Sequence, residues 1–311
     1  MSVWTKDNIP NLSGKTVIVT GANSGIGYET ALALAEKEAL VILAVRNVEK
    51  GKAAIARIKA VYADAKVNVM SLDLSDLASI WSFAESFLQQ YSFLSLLINN
   101  AGIMIPPLRR TKDGFESQFG TNHLGHFALT GLLLESLMTT PESRVITVSS
   151  LAAYKGKIAF NNLDGSKGYK AMEFYRQSKL ANLLFTMELQ NKFTANQINT
   201  ISIACHPGVT HTNLASRDSG KQLNKFFQLL SKLITQPANM GALPTIYAAT
   251  EPTLKGGEYI GPDGKNEWKG YPKILEHNLY DAEISNKLWS ISEELTGISY
   301  DFKRGSKALE M

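Results

Sequence analysis

Tyr175 stands four residues before Lys179 in Tyr175-Arg176-Gln177-Ser178-Lys179. On a helix, residues i and i+4 share a face, so the phenol and the ammonium can serve one site. A tyrosine hydroxyl with an ordinary pKa near 10 is a poor base at neutral pH. An adjacent ammonium favours phenolate and moves the group toward a range useful for proton transfer. That spacing alone is common on helices. It gains force from three accompanying segments: Thr20-Gly21-Ala22-Asn23-Ser24-Gly25-Ile26-Gly27, Asn99-Asn100-Ala101-Gly102, and Ser149-Ser150 at the end of an apolar run.

Glycines 21, 25 and 27 give G-x3-G-x-G. Such a cluster permits a tight turn and lets backbone N–H groups approach a pyrophosphate at a helix N-terminus. A plain turn would account for the glycines alone, but their place between a strand and a helix points to a dinucleotide. The next strand ends Leu43-Ala44-Val45-Arg46-Asn47. A carboxylate there would accept from an adenosine ribose and repel a 2′-phosphate. The Arg46 guanidinium can instead hold a phosphate through paired, charge-assisted hydrogen bonds. The expected cofactor is therefore NADP(H) before NAD(H), with Asn23 and Asn47 as helpers. A solvated strand-end arginine is the alternative for Arg46.

The elements that must position these residues alternate regularly. Compact apolar runs predict strands at Lys15 to Thr20, Leu40 to Val45, Val67 to Leu72, Leu94 to Ile98, Arg144 to Ser149, Ile198 to Ala204 and Glu258 to Ile260. Helical spacing predicts helices at Gly25 to Lys37, Val48 to Ala63, Leu77 to Tyr91, Phe115 to Met138, Ala171 to Phe193 and Pro237 to Ala249. Strands separated by helices of this length form βαβ units. The fold class is α/β: a single Rossmann-type domain over residues 1–311, a doubly wound parallel sheet with helices on both faces. Within it, 12–205 is the cofactor and catalytic core, 209–236 a substrate lid insertion, and 303–311 a flexible tail.

In this order the glycine turn, N-N-A-G, the serine-ended fifth strand and Y-x-x-x-K resemble the short-chain dehydrogenase/reductase family, over roughly Leu12 to Pro262. The resemblance implies that Tyr175 is the general acid in reduction and the general base in oxidation, and that Lys179 also binds the nicotinamide ribose. It gives Ser150 the hydrogen bond to the substrate oxygen, with Ser149 a rival. Asn122, in Thr121-Asn122-His123-Leu124-Gly125, would hold a water in the proton relay, or else kink its helix. The turn residues Gly21, Asn23, Ser24, Gly25, Ile26 and Gly27 would cradle the cofactor. Val45 falls where NAD-preferring relatives carry an acid. Asp73, with Leu74, would meet the adenine edge, and Asn100, Ala101 and Gly102 close over the adenine ribose side. The turn at Pro207 and Gly208, with Val209, would cover the nicotinamide, and Thr210 and Thr212 would meet its carboxamide or a phosphate.

Tyr175 follows Ser150 by 25 positions, about twice the family's compact spacing. That insertion, Lys155 to Lys170, with Ala44-Val45-Arg46-Asn47 and Lys50-Gly51, is similar to the retinol dehydrogenase and protochlorophyllide reductase branch. Phe160, Tyr169, Phe226 and Phe227 could line a pocket for an apolar or aromatic carbonyl compound or alcohol. Two other functions stay open: a light-driven C=C reductase of the protochlorophyllide type, and a non-catalytic dinucleotide-binding sensor or partner protein.

Bulk properties exclude other classes. A hydrophobic fraction of 44% with 19% charged residues belongs to a globular protein with a sizeable core. The net charge of +4, with no Lys/Arg run longer than a pair, gives no nucleic-acid footprint. Cys205 is the single cysteine, so neither an intrachain disulfide nor a cysteine-based zinc site can form. His123, His126, His206 and His211 lack a ligand spacing, and no metal is expected. Met1 to Pro10 carries charges without an apolar run, and no stretch approaches the roughly 18 apolar residues of a membrane span. A cytoplasmic enzyme without a membrane anchor is expected, with homo-oligomerisation open.

Overall fold

The computed structural model describes residues 3–210 and 235–303. Among the described residues there are eight strands: β1 Thr16–Thr20, β2 Leu40–Val45, β3 Val67–Ser71, β4 Leu96–Asn99, β5 Arg144–Val148, β6 Ile201–Cys205, β7 Tyr259–Pro262 and β8 Pro272–Ile274. They form one sheet in the order β3-β2-β1-β4-β5-β6-β7-β8. Every pairing is parallel except β7 with β8. The expected all-parallel sheet thus gains an antiparallel edge.

Because successive side chains point to opposite faces, each strand feeds two cores. Val17, Val19, Val41 and Leu43 pack with Leu34, Ile58 and Ile246 on one face. Ile18, Ile42 and Leu97 pack with Phe87, Phe127, Phe185 and Trp289 on the other. The first core is covered by α1 Gly25–Glu36 and α2 Val48–Val61, the second by α3 Leu77–Gln90.

The stretch read as one helix from Phe115 to Met138 is broken. It consists of a single turn α4 Ser117–Phe119, a π-helical segment Gly120–Leu124, α5 Gly125–Leu132 and α6 Leu134–Thr139. Apolar periodicity survives such a break, because a π turn adds one residue to the helical register without moving the buried face far. After it come α7 Ala171–Ala195, α8 Ala238–Thr250 and α9 Ala282–Thr296. The sequence reading assigned nothing to β8 or α9. Yet Asp281 caps α9 by accepting from Ile284 N, and Gly297 ends it in the left-handed region at φ 67°, the usual start and stop signals.

β1 lies between β2 and β4, whose crossovers run to opposite faces. At that reversal the loops after the carboxyl ends of the strands part and leave a crevice. The glycine turn, the Asn100–Gly102 segment and Ser150 all sit at those ends.

Candidate active site

A cavity of about 400 Å³ opens at the strand reversal. Gly21, Asn23, Ser24, Gly25, Ile26 and Gly27 line one end, and Ser149, Ser150, Tyr175 and Lys179 line the other. Asn100, Ala101, Gly102, Pro207, Gly208, Val209 and Thr210 complete the walls, with Met104, Val148 and Leu151, which the sequence reading did not single out.

At the glycine end the backbone approaches itself closely. A Cβ on Gly27 would overlap the Asn100 Nδ2 and stand 2.8 Å from the Gly21 carbonyl. The first turn of α1 carries no acidic residue, so its positive end is left to an anion. Thr20 organises this region. Its hydroxyl accepts from the N–H groups of Asn100 and Ala101, both at 2.9 Å, and its carbonyl accepts from Asn100 Nδ2 at 2.7 Å. Arg57, also missed from sequence, donates to the Asn23 carbonyl at 3.1 Å and stacks 4.1 Å over the Tyr28 ring. Arg46 is exposed just past β2, outside the cavity lining. Asn47, Asp73 and Leu74 also lie outside it. Asn47 caps α2 by accepting from Lys50 N, and Asp73 accepts from the Ser75 backbone and hydroxyl. Thr212 and His211, with Phe226 and Phe227, fall outside the described residues, as do nearly all of 209–236 and 303–311.

At the other end, α7 carries Tyr175 and Lys179 on its buried side. The Lys179 Nζ donates to the Val148 carbonyl at 3.0 Å, and Asn182 donates to the same oxygen at 3.1 Å. The Ser149 hydroxyl donates to the Lys179 carbonyl at 2.7 Å. Ser150, by contrast, lies close enough to the Tyr175 hydroxyl to favour its ionised form. Of the two serines, Ser150 therefore faces the phenol while Ser149 pins the helix backbone. Burial pushes the Lys179 ammonium down to about 8. Burial raises the Tyr175 phenol above its ordinary value, with Ser150 opposing. The sequence reading has the ammonium drawing the phenol downward. Here Nζ faces the Val148 carbonyl, 6.0 Å from the tyrosine ring centre, and burial prevails.

Asn122 sits behind the cavity in the π segment. Its amide receives Ile103 N at 2.8 Å, and donates to the Ile103 carbonyl and the Ser178 hydroxyl, both at 3.0 Å. Its side chain thus joins the segment after Gly102 to α7. Phe160 packs instead against the cluster of Phe119, Leu180 and Leu184, with the Lys287 ammonium 4.7 Å over its ring. The Tyr169 hydroxyl donates to the Pro106 carbonyl at 2.8 Å and accepts from Gln118. Neither aromatic is among the cavity residues, because both are taken up in holding the insertion to its neighbours.

The turn after β6 is held from behind. A Cβ on Gly208, at φ 62°, would overlap the Trp268 carbonyl, which accepts from Val209 N at 2.7 Å. His206 Nδ1 accepts from Gly208 N at 3.1 Å, and Nε2 donates to Glu267, whose carboxylate also accepts from the Tyr154 hydroxyl. Among the described residues, no group of three or more His, Cys, Asp or Glu is placed to hold a metal ion, and no helix is long and apolar enough to cross a membrane.

A family model described as short chain dehydrogenase matches residues 15–222. Retinol dehydrogenase 11 of Mus musculus is 43% identical over 293 residues, 94% of this chain and 89% of that protein. Retinol dehydrogenase 12 of Homo sapiens is 40% identical over 292 residues, 93% and 89% of the two chains. Among solved structures, a Mycobacterium paratuberculosis protein matches with a TM-score of 0.81 at 41% identity, covering 96% of this chain and all of that one. A short chain dehydrogenase from Shigella flexneri 2a, complexed with NADP, has a TM-score of 0.63 at 20% identity, covering 81% and 98%; that likeness concerns the fold.

The buried ammonium makes a prediction on stability. The folded state binds the Lys179 proton less tightly than an unfolded chain does. The penalty is therefore full below about pH 8 and fades as pH rises toward the ordinary lysine value. A shift of this size corresponds to about 3 kcal/mol. Lys179→Met should melt at a higher temperature than the parent at pH 7, with a margin that shrinks toward pH 10. A variant that melts lower at pH 7, or a margin independent of pH, would contradict the burial account.

Proposed function

The chain belongs to the short chain dehydrogenase family, in its retinol dehydrogenase-like branch, and on that premise we propose an NADP(H)-dependent oxidoreductase. It would interconvert a carbonyl and an alcohol, with Tyr175 as the proton-transferring group. The observation that carries this reading is one cavity with a glycine-lined helix N-terminus at one end and the Tyr175, Ser150 and Lys179 cluster at the other. Its residues fit a dinucleotide: no Cβ intrudes at Gly27, no acid opposes an anion at α1, and the Pro207–Val209 turn lines the same cavity.

The nicotinamide, when bound, supplies or accepts the hydride. In reduction the Tyr175 hydroxyl gives its proton to the carbonyl oxygen, while the Ser150 hydroxyl donates a hydrogen bond to that oxygen as negative charge develops. A phenol raised by burial is fully protonated at neutral pH and so carries the proton this step needs. In oxidation the same oxygen must accept the alcohol proton. Two cations are then available to stabilise phenolate, Lys179 and the oxidised nicotinamide. Lys179 holds its place through Val148, and on this reading it also binds the nicotinamide ribose.

Preference for NADP(H) rests on Arg46 at the end of β2, where no carboxylate stands to repel a 2′-phosphate. Met104, Val148 and Leu151 give the walls an apolar share, which supports an apolar or aromatic carbonyl compound or alcohol as substrate. The retinol dehydrogenases among the relatives point the same way.

Tyr175→Phe should reduce turnover at least about a hundredfold, the scale of one general acid–base group, while NADPH binds within a few-fold of the parent. Near-normal turnover on a substrate found by screening aldehydes, ketones and alcohols would remove the proposed proton donor. Arg46→Ala should raise the dissociation constant for NADPH by about tenfold or more, the scale of a lost charge-assisted pair, and leave that for NADH nearly unchanged. Equal losses for both cofactors, measured by calorimetry, would remove the phosphate role.

A further inference from the structure

His126 lies on α5, 1% exposed, and takes no part in the chemistry proposed above. Its two ring nitrogens reach opposite ends of the site. Nδ1 is 2.9 Å from the Asn122 carbonyl, and Nε2 is 2.9 Å from the Thr20 hydroxyl. A carbonyl only accepts, so Nδ1 carries the hydrogen. The Thr20 oxygen already receives the N–H groups of Asn100 and Ala101, so it has one hydrogen left to give. Nε2 at 2.9 Å is a nearer acceptor for it than the Ile98 carbonyl at 3.3 Å.

We propose that His126 is a positioning residue, fixed as the Nδ1–H tautomer, that couples the cofactor end of the site to the proton-transfer end. Burial pushes the imidazole down to about 4, and the nearby Lys179 charge adds to this, which keeps the ring uncharged at neutral pH. Toward the cofactor, the ring receives the Thr20 hydroxyl hydrogen and so frees both of that oxygen's acceptor sites for Asn100 and Ala101, which line the cavity. Toward the chemistry, it holds the Asn122 carbonyl within the π segment, where the register shift disturbs the regular i to i+4 bonding. The Asn122 amide in turn holds Ser178, the residue before Lys179. One ring, 106 positions from Thr20 in sequence, thus sets two geometries at once.

The inference rests on the proposed function for its affinity and kinetic arms, and the tautomer measurement below is independent of it. Its two halves can be separated. An asparagine amide reaches about as far as Nδ1, and a glutamine amide about as far as Nε2. His126→Asn keeps a donor for Asn122 and loses Thr20, so the dissociation constant for NADPH should rise about tenfold, with a fall in kcat of no more than about threefold. His126→Gln keeps an acceptor for Thr20 and loses Asn122, so the proportions should reverse, on the scale of one buried hydrogen bond. NADPH affinity by calorimetry and kcat on the best screened substrate are compared for the two variants and the parent. A merely structural role would lower both quantities together in each variant, and that result overturns the proposal.

A second measurement needs neither activity nor a kinetic comparison. Nitrogen-15 spectra of the imidazoles in the parent protein should show one buried histidine with an unprotonated Nε2 and a protonated Nδ1, assigned by its absence in His126→Gln. A protonated Nε2, or averaging between tautomers, overturns the proposal. If Tyr175→Phe proves fully active, the proton-donor reading fails, and the tautomer and affinity results still decide the role of His126.

Discussion

An ammonium taken out of water must find acceptors or lose its proton, and the chemical end of this protein is built around that constraint at Lys179. The Nζ is held by the Val148 carbonyl at the end of β5, an oxygen shared with Asn182. Ser149 grips the carbonyl of the same lysine from the next residue along. These bonds fix α7 in rotation and height against the sheet, and so fix where the Tyr175 phenol and the neighbouring Ser150 can lie. Burial weakens the ammonium and raises the phenol together.

The other end of the cavity answers a different requirement, close approach of backbone, which the proposed reading assigns to an anionic cofactor. Gly27 leaves room for the Asn100 amide, and that amide closes on the Thr20 carbonyl. The strand order places both ends on one crevice, since β1 carries the glycine turn, β4 the Asn100–Gly102 segment and β5 the serines. The π segment gives the second connection. Through Asn122 it joins the residue after Gly102 to α7, so the glycine-lined end and the Tyr175 end share a frame of hydrogen bonds as well as a sheet.

Much of this was legible in the sequence because it rests on local rules. Continuous apolar runs marked the buried parallel strands, the glycine spacing marked the turn, and the i, i+4 spacing placed Tyr175 and Lys179 on one side of a helix. Three kinds of feature were not. The π segment at Gly120–Leu124 leaves apolar periodicity nearly intact, so the stretch read as one helix. β8 is too short to show alternation: of its three residues only Pro272 is buried, while Lys273 and Ile274 are both exposed. α9 does carry local signals, in Asp281 and Gly297. The bonds of Thr20 to His126, Arg57 to Asn23 and His206 to Glu267 join residues far apart in the chain. Such contacts exist only once the sheet has brought their elements together. Phe160 and Tyr169 show the converse, since aromatic character alone did not say which surface they would cover.

The central claim is that the Tyr175 phenol becomes a usable proton-transfer group when a cationic nicotinamide joins Lys179 beside it. It is tested most directly by following tyrosinate absorbance as pH is raised, taking the parent minus Tyr175→Phe, in the free protein and with NADP⁺ saturating. The account predicts that Tyr175 ionises above the ordinary phenol range in the free protein and well below that point once NADP⁺ is bound. Ionisation unchanged by the cofactor, or already low without it, would contradict it.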